Sequence, residues 1–328
     1  MKRRGFLAGV GALLTAPPVA VVAFGQQSAR PTRIGVLAIP SAAHSSARMD
    51  ALRAGLSDFG YIAGKNVVIE FRSAEGRYDR LAGLAADLIR DNVDVIVTAG
   101  TPAIRAAKQA TRTVPIVIAA VGDAVAGGLV DSLTKPGGNI TGATYFAPEV
   151  AAKQLEVLKE TAPHATRVAV VMNPENPAMG PTLRAVEEAG ASLKLRLEKI
   201  AVRDRRDFDG AFEMITSTQS RAALVVDDPI TIYNARALAD LAMKYRIATA
   251  GFVEYAEAGG LIGYGANLSA MWRRAGYFVD RILKGASAGE IPMERPTKFD
   301  LVVNMTTAAT IGLAIARPIL VRADRVIQ

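Results

Sequence analysis

Cysteine is absent from this chain of 328 residues, and histidine occurs only twice. The first absence excludes disulfides, thiolate metal sites, thiol nucleophiles and a lipid-modified N-terminal cysteine. His44 and His164 stand alone in predicted loops without metal-ligand spacing, so no metal centre is expected. Nucleotide fingerprints are also missing. Residues 60–66, GYIAGKN, imitate a phosphate-binding loop, but the second glycine comes one residue early and Asn66 stands where a magnesium-binding Ser or Thr belongs. No G-x-G-x-x-G follows a predicted strand, which leaves dinucleotide binding without support, and no cofactor is expected. Residues 285–289, GASAG, carry the letters of a nucleophile elbow. That device needs a strand before its Ser and a later His; here a predicted helix precedes, and no His lies beyond His164. Carboxylates are plentiful, yet spacing fixes no pair, so glycosidase chemistry has no support.

What is present is apolar. Half the residues are hydrophobic, enough for cored domains and too many for a disordered chain. The formal net charge is +8, and three of the positive residues, Lys2, Arg3 and Arg4, head an acid-free segment of residues 1–25. Basic n-region, apolar stretch and small residues follow in the order of a cleavable secretory signal peptide, expected at residues 1–25. The run Arg3-Arg4-Gly5-Phe6-Leu7 further resembles a twin-arginine export signal. Pro17 and Pro18 interrupt the apolar stretch, leaving pieces too short for a membrane of about 30 Å hydrocarbon thickness. With the segment removed the charge is 8 − 3 = +5. The densest basic group, Arg203-Asp204-Arg205-Arg206, is broken by an acid and reads as a solvated helix start, so no nucleic-acid partner is expected.

From Arg33 onward strand and helix patterns alternate. Buried strands are predicted at 34–39, 93–99, 114–121, 168–172 and 222–226, with amphipathic helices between them at 46–59, 78–89, 102–110, 153–161, 182–190, 207–216 and 235–245. Residues 129–133 read as a short amphipathic piece, and Gly190 as the end of its own helix. Two successive βαβ sets, separated by the turn Pro136-Gly137-Gly138-Asn139, imply two doubly wound α/β lobes of Rossmann type; a (β/α)₈ barrel would leave that break unexplained. The chain is expected to cross between lobes three times, making a hinge. This gives a first lobe of residues 32–144 plus 265–293 and a second of 145–264 plus 294–328. An amphipathic helix at 269–283 returns to the first lobe, and a strand at 299–304 joins the second.

In such a molecule the loops at strand carboxyl ends line the interlobe cleft, because there the scaffold fixes position while the loop stays open. The rule selects Pro40, Ser41, Gly100, Thr101 and Asp123 from the first lobe, and Asn173, Asp227, Asp228 and residues 252–254, including Glu254, from the second. Tyr145 and Tyr264 fall at crossings. Each has a plainer reading. Thr101 before Pro102 caps a helix, Asp123 and Asn173 can brace their own turns, one of Asp227 and Asp228 can be solvated, and Tyr264 can be core. A coherent arrangement has Thr101 and neighbouring amides hold a carboxylate while Asp123 or Asp227 holds an ammonium. Thr101→Val and Asp123→Ala would then each weaken binding.

The stretch GDAVAGGLVDSLTKPGGNITG, residues 122–142, resembles the bacterial ABC transporter substrate-binding proteins of the group that includes tryptophan and tyrosine transporters. Residues 259–265 (GGLIGYG), 282–285 (ILKG), 296–299 (PTKF) and 322–327 (RADRVI) extend the resemblance over nearly all the chain after residue 31. It implies a type I periplasmic-binding-protein fold and a small-molecule ligand, an amino acid or aromatic compound, captured in the cleft. It also implies a periplasmic monomer that delivers this ligand to an inner-membrane permease without any catalytic step, and stacking of Tyr145 or Tyr264 on an aromatic ligand. Two alternatives stay open: an exported two-lobe hydrolase or sugar-transferring enzyme, and a regulator's effector domain, which would need a DNA-binding module where the signal peptide stands.

Overall fold

The structure, a computed structural model, describes residues 30–328; the expected signal peptide at 1–25 lies outside the described residues. The first lobe is built on β1 (Thr32–Ala38), α1 (Ala42–Ser57), β2 (Val67–Ser73), α2 (Leu81–Arg90), β3 (Val95–Ala99), α3 (Thr101–Ala110), β4 (Ile116–Ala120) and β5 (Ile140–Gly142). Its five strands lie in the order β2-β1-β3-β4-β5, all parallel. Strand alternation divides the apolar residues between two faces. Ile34, Val36, Val97 and Val117 face one side, Leu37, Ile96, Ile116 and Ile118 the other. Leu81, Ala85 and Leu88 of α2 and Ile104 and Ala107 of α3 cover the second side.

The second lobe follows with α4 (Ala147–Thr161), β6 (Arg167–Met172), α5 (Met179–Ser192), β7 (Arg196–Ala201), α6 (Phe208–Ser217), β8 (Ala222–Val225), α7 (Pro229–Tyr233), α8 (Ala235–Lys244), β9 (Ala248–Gly251), α9 (Val253–Glu257) and β10 (Ile262–Gly265). The chain then forms α10 (Leu268–Leu283), β11 (Asp300–Asn304), α11 (Met305–Ile311), α12 (Arg317–Arg322) and β12 (Arg325–Ile327). The second sheet has seven strands in the order β12-β11-β10-β9-β8-β6-β7. Leu155 and Leu158 of α4 and Val186 of α5 fill one face, and Phe208, Phe212 and Leu238 of α6 and α8 fill the other.

Helix α10 belongs in space to the first sheet. Its buried stripe of Trp272, Ala275, Phe278, Val279 and Ile282 packs with Met49, Leu52 and Leu56 of α1 over the first face of that sheet. The two helices cross at Gly55 and Gly276, where a Cβ on either glycine would overlap the backbone of the other helix.

Three crossings join the lobes, and the first and third run side by side. Glu294 N donates to Gly142 O at 2.9 Å, and Thr144 N to Glu294 O at 3.0 Å. Because the third crossing re-enters the second sheet from the hinge, where β10 ends, β11 must run antiparallel to β10, as it does.

The short amphipathic piece at 129–133 takes no regular secondary structure: Gly128 is left-handed at φ 65°, and Leu129 and Val130 drop directly into the first core. One local expectation fails. Helix α5 runs past Gly190 to Ser192; that glycine lets the Leu197 side chain lie close against the helix, 2.7 Å from where a Cβ would stand. Among the described residues no helix is long and apolar enough to cross a membrane.

Candidate functional site: an interlobe cavity

The carboxyl ends of the two sheets face each other across a cavity of about 60 Å³. Residues after β3 and β4, with Arg48 of α1 and Trp272 of α10, line it from the first lobe. Residues after β8, with Asn176, Met179 and Tyr233, line it from the second. The approach is close. Gly100 has φ 81° and a Cβ on it would lie 3.1 Å from Pro229 Cγ of the facing lobe, so both backbone and space call for glycine.

The loop after β8 presents two adjacent carboxylates whose surroundings differ. Asp228 is saturated. It caps α7 by accepting from Ile230 N at 2.8 Å, and it also accepts from Asn176 Nδ2 at 2.8 Å, Asn173 Nδ2 at 3.3 Å and the Tyr78 hydroxyl at 3.5 Å. Burial raises its pKa while these donors oppose the rise. Tyr78 comes from the first lobe, so Asp228 and Asn173 latch the lobes together.

Among the described residues Asp227 accepts a single side-chain hydrogen bond, from Gln154 Nε2 at 3.1 Å, and otherwise faces the cavity. Gln154 is held by donating also to Tyr264 O at 2.8 Å. Burial pushes Asp227 up to about 7 against the Gln154 hydrogen bond, with the charge of Glu254 adding to the rise. Of the adjacent pair, it is the carboxylate with acceptor capacity to spare.

Across the cavity, Thr101 opens the ten-residue helix α3, with Pro at its second position. Its hydroxyl makes no hydrogen bond among the described residues, and the first helical N–H groups have no carbonyl one turn back. Tyr145, on the first crossing, is 7% exposed and lines the cavity. Burial, reinforced by the charge of Asp227, holds its phenol well above the usual pKa, hence protonated.

The structure thus brings Gly100, Thr101, Tyr145 and Asp227 together. Asn173 and Glu254 stand behind them: Asn173 in the latch, its Oδ1 accepting from Glu175 N at 3.0 Å, and Glu254 beside Arg48. Three candidates lie elsewhere. Ser41 lines a separate pocket at the cleft mouth, its hydroxyl 2.8 Å from His44 Nδ1. Asp123 braces its own turn, accepting from Val125 N and Ala126 N at 3.0 and 2.9 Å, while the preceding Gly122 lines the cavity. Tyr264 stacks on Phe299 with ring centroids 6.1 Å apart, in a surface pocket on the hinge side.

Sequence reasoning missed Arg48, Tyr78, Asn176, Tyr233 and Trp272. All lie within helices or the turns leading into them, past the strand-end positions that the topological rule selects, and only packing between the lobes carries four of them to the cavity and Tyr78 to the latch beside it.

The profile of the family described as ABC transporter substrate binding protein matches residues 33–327. The tyrosine-binding protein of Clostridioides difficile is 25% identical over 260 residues, which span 79% of this chain and 74% of that one. A conserved domain protein from Vibrio cholerae superposes with a TM-score of 0.84 at 26% identity, covering 90% of this chain and all of that one. An ABC domain from Streptococcus pneumonia in complex with L-Trp gives 0.83 at 24% identity, again over 90% of this chain and all of that one.

Proposed function

Because the chain belongs to the family of ABC transporter substrate-binding proteins, we propose that its cavity holds a zwitterionic amino acid, with the ammonium on Asp227 and the carboxylate at Thr101 and the start of α3. The observation that carries this is the unequal saturation of the two lobes' polar groups. On the cavity wall the second lobe offers an under-used carboxylate, Asp227, and the first offers a free hydroxyl and a helix N-terminus. A ligand bearing both charges meets each with its complement, and charge-assisted bonds in a closed cavity fix its orientation. Relatives named for tyrosine and L-Trp support an amino acid of this general form.

The lobes, residues 32–144 plus 265–293 and 145–264 plus 294–328, part at the hinge to admit the ligand and close on it. Contacts made to both lobes favour the closed form, which a permease distinguishes from the open one. In this reading the protein is a periplasmic monomer, freed by cleavage of residues 1–25, and releases its ligand chemically unchanged.

A thermal-shift screen of the twenty amino acids tests it, since a ligand at 100 times its Kd adds about 2.7 kcal/mol to the stability of the folded protein. Calorimetry with the best ligand then reads Thr101→Val and Asp227→Asn, each expected to weaken binding about 10-fold or more. Affinity unchanged in both variants overturns the assignment, and a chemically altered ligand after incubation overturns the transport role.

A further inference from the structure

Arg48 is held in a way that its neighbours do not explain. It projects from α1 of the first lobe into the cavity wall, its side chain 11% exposed. A guanidinium carries five N–H donors, and among the described residues none makes a hydrogen bond to a protein acceptor. Its nearest carboxylate is Glu254 of the second lobe at 3.9 Å, too far for a hydrogen bond. Glu254 is also incompletely paired, its Oε2 buried without a partner among the described residues. The guanidinium lies over the Tyr233 ring, 4.8 Å from the centroid, which fixes its position and leaves its N–H edge free.

A settled ion pair would close to direct contact, with several donors used. Leaving a buried guanidinium so poorly paired is costly, and the cost is recovered only if an acceptor arrives from outside the protein. The acceptor that fits a planar two-pronged donor is a carboxylate. Arg48 is placed to meet one, because a small void lined by Arg48, Tyr233, Trp272 and Ala99 adjoins the main cavity, and Ala99 leads directly into Gly100 and Thr101.

We infer that Arg48 is the principal anchor of the ligand's carboxylate, receiving it between its guanidinium and the start of α3, so that a free carboxylate is the feature this protein requires of any ligand. This rests on the amino-acid reading for the site's location, and separates from it on the role of the amine. Arg48 then also reports occupancy. The residue touches Tyr233 and Glu254 of the opposite lobe only when the lobes are together, so the carboxylate it binds helps hold them so.

The experiment compares matched ligands on the purified protein by calorimetry: each amino acid that stabilises it, the corresponding α-amide, and the corresponding acid lacking the amine. Wild type is expected to bind the acid at least about 10-fold more tightly than the amide. Arg48→Gln is expected to weaken the acid by about 10- to 100-fold while hardly changing the amide, so that the ratio between them collapses. Arg48→Lys, which keeps charge without the fork, is expected to fall between and guards against a folding defect in the first variant. A ratio preserved in both variants overturns the inference. Amine-free acids that bind as tightly as the amino acids, and lose affinity in Arg48→Gln, sustain it while overturning the amino-acid reading. Absence of binding by every carboxylate overturns both.

Discussion

Asp227 keeps acceptor capacity in a place where charge is costly, and its titration is the most direct handle on the site. Its pKa is about 7 in the folded protein against 3.8 without the surroundings. Between those values the folded ligand-free protein holds a proton that the unfolded chain has lost, so this residue's contribution to stability is fullest below 3.8 and declines as pH rises through 7. Asp227→Asn removes the decline. The melting temperature of the variant, relative to wild type, should rise steadily from about pH 4 to about pH 7 and then level off, as read by thermal denaturation across that range. Ligand binding should show the opposite slope, because an ammonium selects the ionised carboxylate: affinity should increase with pH up to about 7 and flatten above it. Much of this candidate site was legible in the sequence. Gly100, Thr101 and Asp227 follow from the rule that strand carboxyl ends carry ligands, and each lines the cavity. The rule could not separate Asp227 from Asp228, since their difference lies in Tyr78, Asn173 and Asn176, which are distant in sequence. It also could not see that Asp123 would turn its oxygen back on Val125 and Ala126.

At the level of helices and strands, the α1–α10 crossing is the sharpest test of packing. A Cβ on Gly55 would overlap the Arg273 carbonyl, and one on Gly276 the backbone of Gly55 and Leu56. Backbone cannot rotate away as a side chain can, so the helices would have to separate over the core that they cover. Gly55→Ala and Gly276→Ala should each destabilise the protein by about 1–3 kcal/mol, despite the roughly 1 kcal/mol that Ala gains over Gly in a helix. Gly83, within α2, has open space where its Cβ would be, and Gly83→Ala should be neutral or stabilising by up to about 1 kcal/mol. Chemical denaturation of the three variants checks both signs. Long periodic segments such as α10, and apolar runs such as β4, announced themselves, because burial of one face leaves a pattern over many residues. The five-residue helices α7 and α9 and the three-residue strand β12 did not, being too short for periodicity and held by contacts with α8, β10 and β11. Gly190 misled for a related reason: a glycine that stops a helix and a glycine that lets Leu197 approach look alike in one dimension.

Across the whole molecule, the described conformation is a closed one, sealed by Tyr78 reaching Asp228 and Asn173. Tyr78→Phe removes those bonds at a residue that does not itself line the cavity, although its partner Asp228 does. Since closure and binding are linked, it should weaken ligand affinity by about 2- to 10-fold and enlarge the ligand-free protein's mean radius of gyration in small-angle scattering, with the two proteins alike once saturated. Unchanged affinity and radius would remove the hydroxyl from the closing equilibrium. The interleaving of the lobes also bears on how the protein is made. Ile34, Val36, Val97 and Val117 are synthesised early, yet the stripe of α10 that shields them, Trp272 to Ile282, emerges only after α4 to β10 of the second lobe. The ribosome therefore releases an apolar surface long before its cover, so the N-terminal portion cannot complete its fold ahead of the rest. A nascent chain of this kind must be kept from aggregating until α10, in its last fifth, arrives.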